Sequence, residues 1–159
     1  MDAIDSRLID LFAAEPRIGV LEASRRLQIA RGTVQARLDR LASSGVITGW
    51  GPEVSPEAIG FPVMAFLTLE IRQGAGSGGH NAVARHLAAI PEVLEAYTIT
   101  GAGDMWARVV ARSNADLQRV IDLVLTDPGI DRSTTVIALA TQIAHRVLPL
   151  ARSVVGQAP

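Results

Sequence analysis

Apolar residues recur along the first 48 positions at the three-to-four-residue interval of helices, and afterwards mostly in runs of strand length. Ile4, Leu8, Leu11 and Phe12 form one face of a first helix, which Pro16 ends. Val20, Ala23 and Leu27 predict a second helix over about Val20 to Leu27. Val34, Leu38 and Leu41 predict a third over about Arg31 to Ser43. Only Gln28, Ile29 and Ala30 separate the last two. So short a connection suits a helix-turn-helix and not a long antiparallel hairpin. Gly45 to Gly51 sets Val46, Ile47 and Thr48 between glycines, which predicts either a small wing or the start of a strand; Pro52, Pro56, Gly60 and Pro62 mark residues 49–62 as a linker.

From residue 63 the pattern changes. Val63–Ile71 reads as a strand, and Gln73 to Gly79 as a flexible connector that lacks the Lys-Ser/Thr ending of a phosphate-binding loop. A helix over about Asn81 to Ala89 stops before Pro91. Val93–Thr100 and Asp104–Arg112 read as a hairpin around Gly101, Ala102 and Gly103. Ser113 and Asp116 resemble a capping box opening a helix to about Leu125; Thr126 to Gly129 stops it, and Ile130–Leu139 supplies a fourth strand. The order is β-α-β-β-α-β, the split ferredoxin-like arrangement. The expected class is therefore α+β: a winged helix-turn-helix head over 1–48, a linker over 49–62, a second domain over 63–150 and a tail over 151–159.

Composition sharpens this picture. Apolar residues make up 48% of the 159, yet no uninterrupted run approaches the roughly 18 that a membrane helix requires, so no membrane partner is expected. The surplus apolar surface predicts burial between subunits. The start, Met1 to Asp5, is acidic and amphipathic, unlike a signal peptide, and a cytoplasmic location is expected. With no cysteine, disulfides, thiolate metal sites and cysteine nucleophiles are excluded. His80, His86 and His145 lack metal-ligand spacing and read as structural; no metal, cofactor or catalytic assembly is expected.

A net charge of −1 argues against a broad field for nucleic acid, but distribution matters more. All 15 basic residues are arginine, and five of them (Arg25, Arg26, Arg31, Arg37, Arg40) fall within residues 20–40 against Glu22 and Asp39 alone. Guanidinium forks match phosphate oxygens and stay ionised. The outward face of the third helix carries Arg31, Thr33, Gln35, Arg37 and Arg40, side chains able to reach phosphates and base edges in a major groove. Arg31, Thr33 and Gln35, towards its amino end, are the candidate base contacts; Arg25 and Arg26 are candidate phosphate contacts; Arg37 either touches DNA or braces the domain. Asp39 points the same way and is placed where the helix leaves the groove. An ordinary solvated helix face is the plain alternative for the set.

The turn Thr100-Gly101-Ala102-Gly103-Asp104 is a second candidate, since glycines let a ligand approach the backbone; equally, the glycines make the turn and Asp104 caps it.

Three local patterns carry a family resemblance: Asp5 to Phe12; Val34 to Leu41 followed by Gly45-Val46-Ile47 and Gly49; and Pro91-Glu92-Val93 followed by Thr100 to Asp104. In this order and spacing the chain, from about Asp2 to Leu150, resembles the leucine-responsive/asparagine (Lrp/AsnC) regulators. It departs from their pattern at Gln28, where a glycine is usual, at Ala30, where a capping serine or threonine is usual, and at Gly103, where a bulkier residue is common. The resemblance implies a RAM/ACT-like sensor domain and a transcriptional regulator that binds double-stranded DNA. It implies homodimers, held through the sheet with its Val63–Leu69 and Ile137–Leu139 runs, that assemble further to tetramers or octamers. It also implies an amino acid or related metabolite bound between subunits at Thr100, Gly101, Ala102, Gly103 and Asp104, with Asp104 pairing an α-ammonium. Thr135, Met105 and Trp106 are weaker lining candidates, and Gly103 is expected to enlarge the pocket. Two other functions stand beside this one: an enzyme resembling the siroheme-pathway decarboxylases, and a regulator whose second domain only oligomerises.

Overall fold

The computed structural model describes residues 1–72 and 79–155. All but the last residue of the expected glycine-rich connector, residues 73–78, lies outside them. In chain order the elements are α1 (Ala3–Ala14), α2 (Val20–Leu27), α3 (Arg31–Ser43), β1 (Val63–Ile71), α4 (Gly79–Ala88), β2 (Val93–Thr98), β3 (Met105–Ala111), α5 (Asn114–Val124), β4 (Ile130–Ile137) and α6 (Leu148–Val155). They form two compact units. One is Met1–Pro52 together with the segment that begins at Ile143; the other is Glu53–Gln142.

In the first unit, α1 opens on a capping box built from aspartates. The Asp2 carboxylate accepts from the N–H groups of Ile4 and Asp5, both at 2.9 Å, and Asp5 returns the bond by accepting from the Asp2 N–H at 2.9 Å. Leu8, Ala23, Val34 and Leu38 are buried together, with Ile4, Leu11, Phe12 and Val20 packed around them. Helical periodicity thus placed the inward faces correctly. The turn between α2 and α3 is tight. Gln28 adopts φ 58° and ψ 42°, its N–H donating to Ser24 and Arg25 carbonyls, while the Ser24 hydroxyl donates to the Ile29 carbonyl at 2.6 Å. Ala30 then begins α3 without any side-chain cap.

The expected wing at Gly45 to Gly51 carries no strand. Gly45, at φ +73°, turns the chain back so that the Ile47 N–H donates to the Leu41 carbonyl and its side chain packs on the helical core. Half-buried there, Ile47 ties the segment back to α3 instead of to a partner strand. The sequence reading also missed α6. It expected strand and then tail, but Leu148–Val155 is helical, and Arg152 donates to Asp10 of α1 at 2.8 Å. Pro149 tolerates a first helical turn, where its missing N–H has no partner to lose.

The second unit is a four-stranded antiparallel sheet in the order β2-β3-β1-β4. Side chains alternate across it. Ala65, Leu67, Leu69, Met105, Ala107 and Val109 face α4 and α5 and are buried against Val83, Leu87, Leu117, Val120 and Val124. The opposite face carries Phe66 stacked on Trp106 at 5.1 Å, Tyr97 beside that ring at 6.0 Å, and an Arg108–Glu95 ion pair at 2.9 Å. Ser113 caps α5 as expected, accepting from the Asp116 N–H. The reciprocal bond falls one residue early, with Asp116 accepting from the Arg112 N–H.

Gln28 is the non-glycine residue at positive φ among the described residues, a conformation that costs side-chain-bearing residues about 1 kcal/mol. Gln28→Gly is expected to stabilise the first unit by about 0.5–1 kcal/mol in urea unfolding, less what the freer unfolded chain takes back. A loss of stability would mean that the Gln28 side chain contributes contacts that outweigh its strain.

Candidate nucleic-acid interface and sensor turn

Helix α3 separates its residues by function. Val34, Leu38 and Leu41 are buried, while Arg31, Gly32, Thr33, Gln35, Ala36, Asp39 and Arg40 are exposed. Gly32, Thr33, Ala36, Arg37 and Arg40 line an open groove of about 400 Å³ on its surface. Arg31 and Thr33 carry no side-chain hydrogen bond or ion pair among the described residues. They stand at the amino end of a 13-residue helix whose first amides lack a side-chain cap, and such a terminus attracts anions.

The other candidates are engaged within the unit. Gln35 donates to Asp39 at 2.8 Å, so the carboxylate expected to trouble phosphate is one turn away and already occupied. Arg26 reaches Glu15 and, at 3.1 Å, Glu22; Arg25 lies 3.9 Å from Glu22. Arg37 donates to Asp2 at 2.6 Å and to Asp5 at 2.8 Å, with its side chain only 21% exposed. Of the two roles the sequence left open for Arg37, the geometry favours bracing. Arg40 donates to both oxygens of Asp5, at 2.7 and 2.8 Å, and remains largely exposed.

Asp5 is the surprise. It is 1% exposed, a carboxylate at a position where the helical pattern calls for an apolar residue. Burial pushes its carboxyl up, but the Asp2 N–H and the guanidinium of Arg37 outweigh that, and Asp5 sits below the ordinary range. Asp2 is held at about 2, first by the hydrogen bond from Arg37 and then by the Asp5 amide. The Asp2-x-x-Asp5 spacing of a reciprocal cap is the signal that could have drawn notice to Asp5, and the sequence reading passed over it. That Asp5 reaches onward to α3 is not visible in one dimension.

In the second unit, the Thr100–Asp104 turn joins β2 to β3. Gly101 (φ +105°) and Gly103 (φ +98°) give it a shape closed to other residues. A side chain at Gly103 would place its Cβ 2.5 Å from Thr68 Cγ2 and 3.2 Å from the Leu69 carbonyl oxygen. Gly103 therefore does not enlarge a pocket. It lets the turn press on β1. Asp104 follows the capping alternative: its N–H donates to Leu69 at 2.8 Å and its Oδ2 accepts from the Ile71 N–H at 2.7 Å. Thr100, Gly101 and Ala102 remain exposed. Thr135 lies opposite Leu67 on β4, with β1 between it and the turn, so one subunit does not bring them together. Met105 is sheet core and Trp106 lies on the open face. His86 contacts the Leu123 and Val124 carbonyls at 3.0 and 3.1 Å, closing the end of α5.

Residues 1–48 match the winged helix-turn-helix DNA-binding model, and residues 64–148 match the Lrp/AsnC ligand binding domain. The helix-turn-helix-type transcriptional regulator FL11 of Pyrococcus horikoshii is 29% identical over 150 residues, 94% of this chain and 97% of that protein. The structure of AsnC from Escherichia coli superposes with a TM-score of 0.83 at 25% identity, covering 94% of this chain and 99% of that one. A feast or famine regulatory protein from M. tuberculosis, complexed with L-methionine, superposes with a TM-score of 0.79 at 27% identity, covering 91% and 96%.

Depressed carboxyl pKa values fix the sign of an acid response. Asp2 and Asp5 bind protons less readily folded than unfolded, so their stabilisation is fully present above about pH 4 and is lost as pH falls towards 2. Urea midpoints are expected to drop across that window for the native chain, and to drop less for Asp2→Asn. Equal drops would remove the Asp2–Arg37 contact as a cause.

Proposed function

The chain belongs to the Lrp/AsnC family of helix-turn-helix transcriptional regulators, and we propose that it reads duplex DNA with the amino end of α3 and answers to an amino acid held at the Thr100–Asp104 turn between subunits. One observation carries the DNA half. Arg31 and Thr33 stand outward and unengaged where the helix is most attractive to phosphate, and Gln35 lies one turn further along the same exposed face. Arg31 serves as the primary arginine contact. Arg25, Arg26 and Arg40 reach phosphate only by leaving their carboxylates, and Arg37 stays in the brace.

One such head reads about half a helical turn of DNA, so a homodimer sets the half-site spacing. The open sheet face supplies its surface: Phe66, Trp106, Tyr97 and the 60% exposed Val136 are apolar, and among the described residues no helix of the unit packs there. Tetramers or octamers follow from further pairing of dimers. The effector half is supported by the exposed backbone of Gly101 and Ala102, by the Asp104 oxygen that Ile71 does not use, and by the methionine bound to the mycobacterial relative. Thr135 lines this site only if it comes from the second subunit. An effector that binds one arrangement of subunits better than another shifts DNA affinity by that difference. Such a protein works in the cytoplasm, beside the chromosome, and no catalytic step belongs to it.

Two measurements test this. Arg31→Ala with Gln35→Ala is expected to weaken binding to the duplex upstream of the protein's own gene at least tenfold in fluorescence anisotropy; unchanged affinity and specificity would overturn the assignment. In a thermal-shift screen of the twenty amino acids, a true effector at a hundred times its Kd adds about 2.7 kcal/mol of stability. Asp104→Ala should abolish that gain. A screen in which none of the twenty raises the melting temperature would leave a second domain that only oligomerises.

A further inference from the structure

Four of the five arginines that give the head its basic character share four carboxylates. Arg25 and Arg26 meet Glu22 and Glu15, while Arg37 and Arg40 meet Asp2 and Asp5. Among the five arginines of residues 20–40, Arg31 alone has no ion pair among the described residues. Arg40 meets both oxygens of Asp5 through one nitrogen, Nη2, at 2.7 and 2.8 Å, so the carboxylate occupies a guanidinium donor that a phosphate oxygen would otherwise take. We propose that Asp2, Asp5, Glu15 and Glu22 form an internal phosphate mimic that holds these four arginines and keeps each head's affinity for DNA of arbitrary sequence low. This rests on the head being the DNA-binding unit.

The four carboxylates fall into two tiers. Asp5 is buried and braces α1 against α3, so Arg37 and Arg40 are withheld as a permanent feature of the fold. Glu15 and Glu22 have half-exposed side chains that touch only Arg25 and Arg26 among the charged groups described, and they brace nothing buried. Exposed pairs of this kind hold weakly and yield to a competing anion. Every arginine kept from phosphate removes about 0.9 from the slope of log affinity against log salt concentration. A chain with 15 arginines and a net charge of −1 thereby limits its grip on unrelated DNA, and discrimination shifts to Arg31, Thr33, Gln35 and the pairing of heads.

The full-length chain tests this on an unrelated duplex, with affinity followed from about 50 to 200 mM salt. Glu15→Gln with Glu22→Gln is expected to steepen the salt slope by about one for each arginine released and to raise affinity for unrelated DNA several-fold, with the melting temperature unchanged. Glu53→Gln with Glu57→Gln makes the same change of charge in the other unit, where neither residue has an ion pair among the described residues, and is expected to leave the slope as it was. Asp5→Asn should steepen the slope too, at the expense of stability. An unaltered slope in the Glu15/Glu22 variant, or equal changes in both glutamate pairs, overturns the proposal. If the native chain binds no duplex at all, the DNA-binding reading falls with it.

Discussion

A single buried carboxylate holds the head in one arrangement. Asp5 lies in the first turn of α1, yet its oxygens serve the Asp2 amide, Arg37 and Arg40, so the start of one helix is bound to the middle and end of another. An unpaired charge in that place would cost several kcal/mol. Every partner must therefore stay in position, and this fixes how α3 lies across α1. Helix α3 owes its placement to hydrophobic contact on one side, through Val34 and Leu38, and to this ionic clamp on the other.

The same clamp explains why a surface rich in arginine belongs to a chain without net positive charge. Arginine serves two purposes in the head. Where it meets Asp5 it is an element of architecture; where it stands open, as Arg31 does, it is available to a partner from outside. The sequence alone does not separate these roles, because both require the residue on an exposed or half-exposed helix position.

Much of the fold was legible in one dimension. Val20–Leu27, Arg31 to Ser43 and Val63–Ile71 emerge from periodicity because each has one strongly apolar face or run bounded by turn residues. Ser113 was visible as a cap because its partner lies three residues away. The misses share a physical cause, namely contacts between residues far apart in the chain. Gly45 to Gly51 reads as a stretch able to start a strand, yet Ile47 returns to the helical core; Gly103 reads as a vacancy, yet its neighbour across the strands, Thr68, lies 2.5 Å from any added carbon. Asp104 had two roles open to it, effector contact and turn cap, and the structure displays the second through Ile71.

The helix that the sequence did not announce, α6, has a bearing on how the molecule is made. It belongs to the unit of α1, α2 and α3 and is joined to α1 through Arg152 and Asp10, although the whole of Glu53–Gln142 intervenes in the chain. On the ribosome the first three helices emerge early and the fourth only after the sheet has been synthesised. The reading head is thus finished last. Nascent chains interrupted before residue 143 carry α1, α2 and α3 without the α6 contact on α1, so that contact forms only in chains whose sheet has already been made.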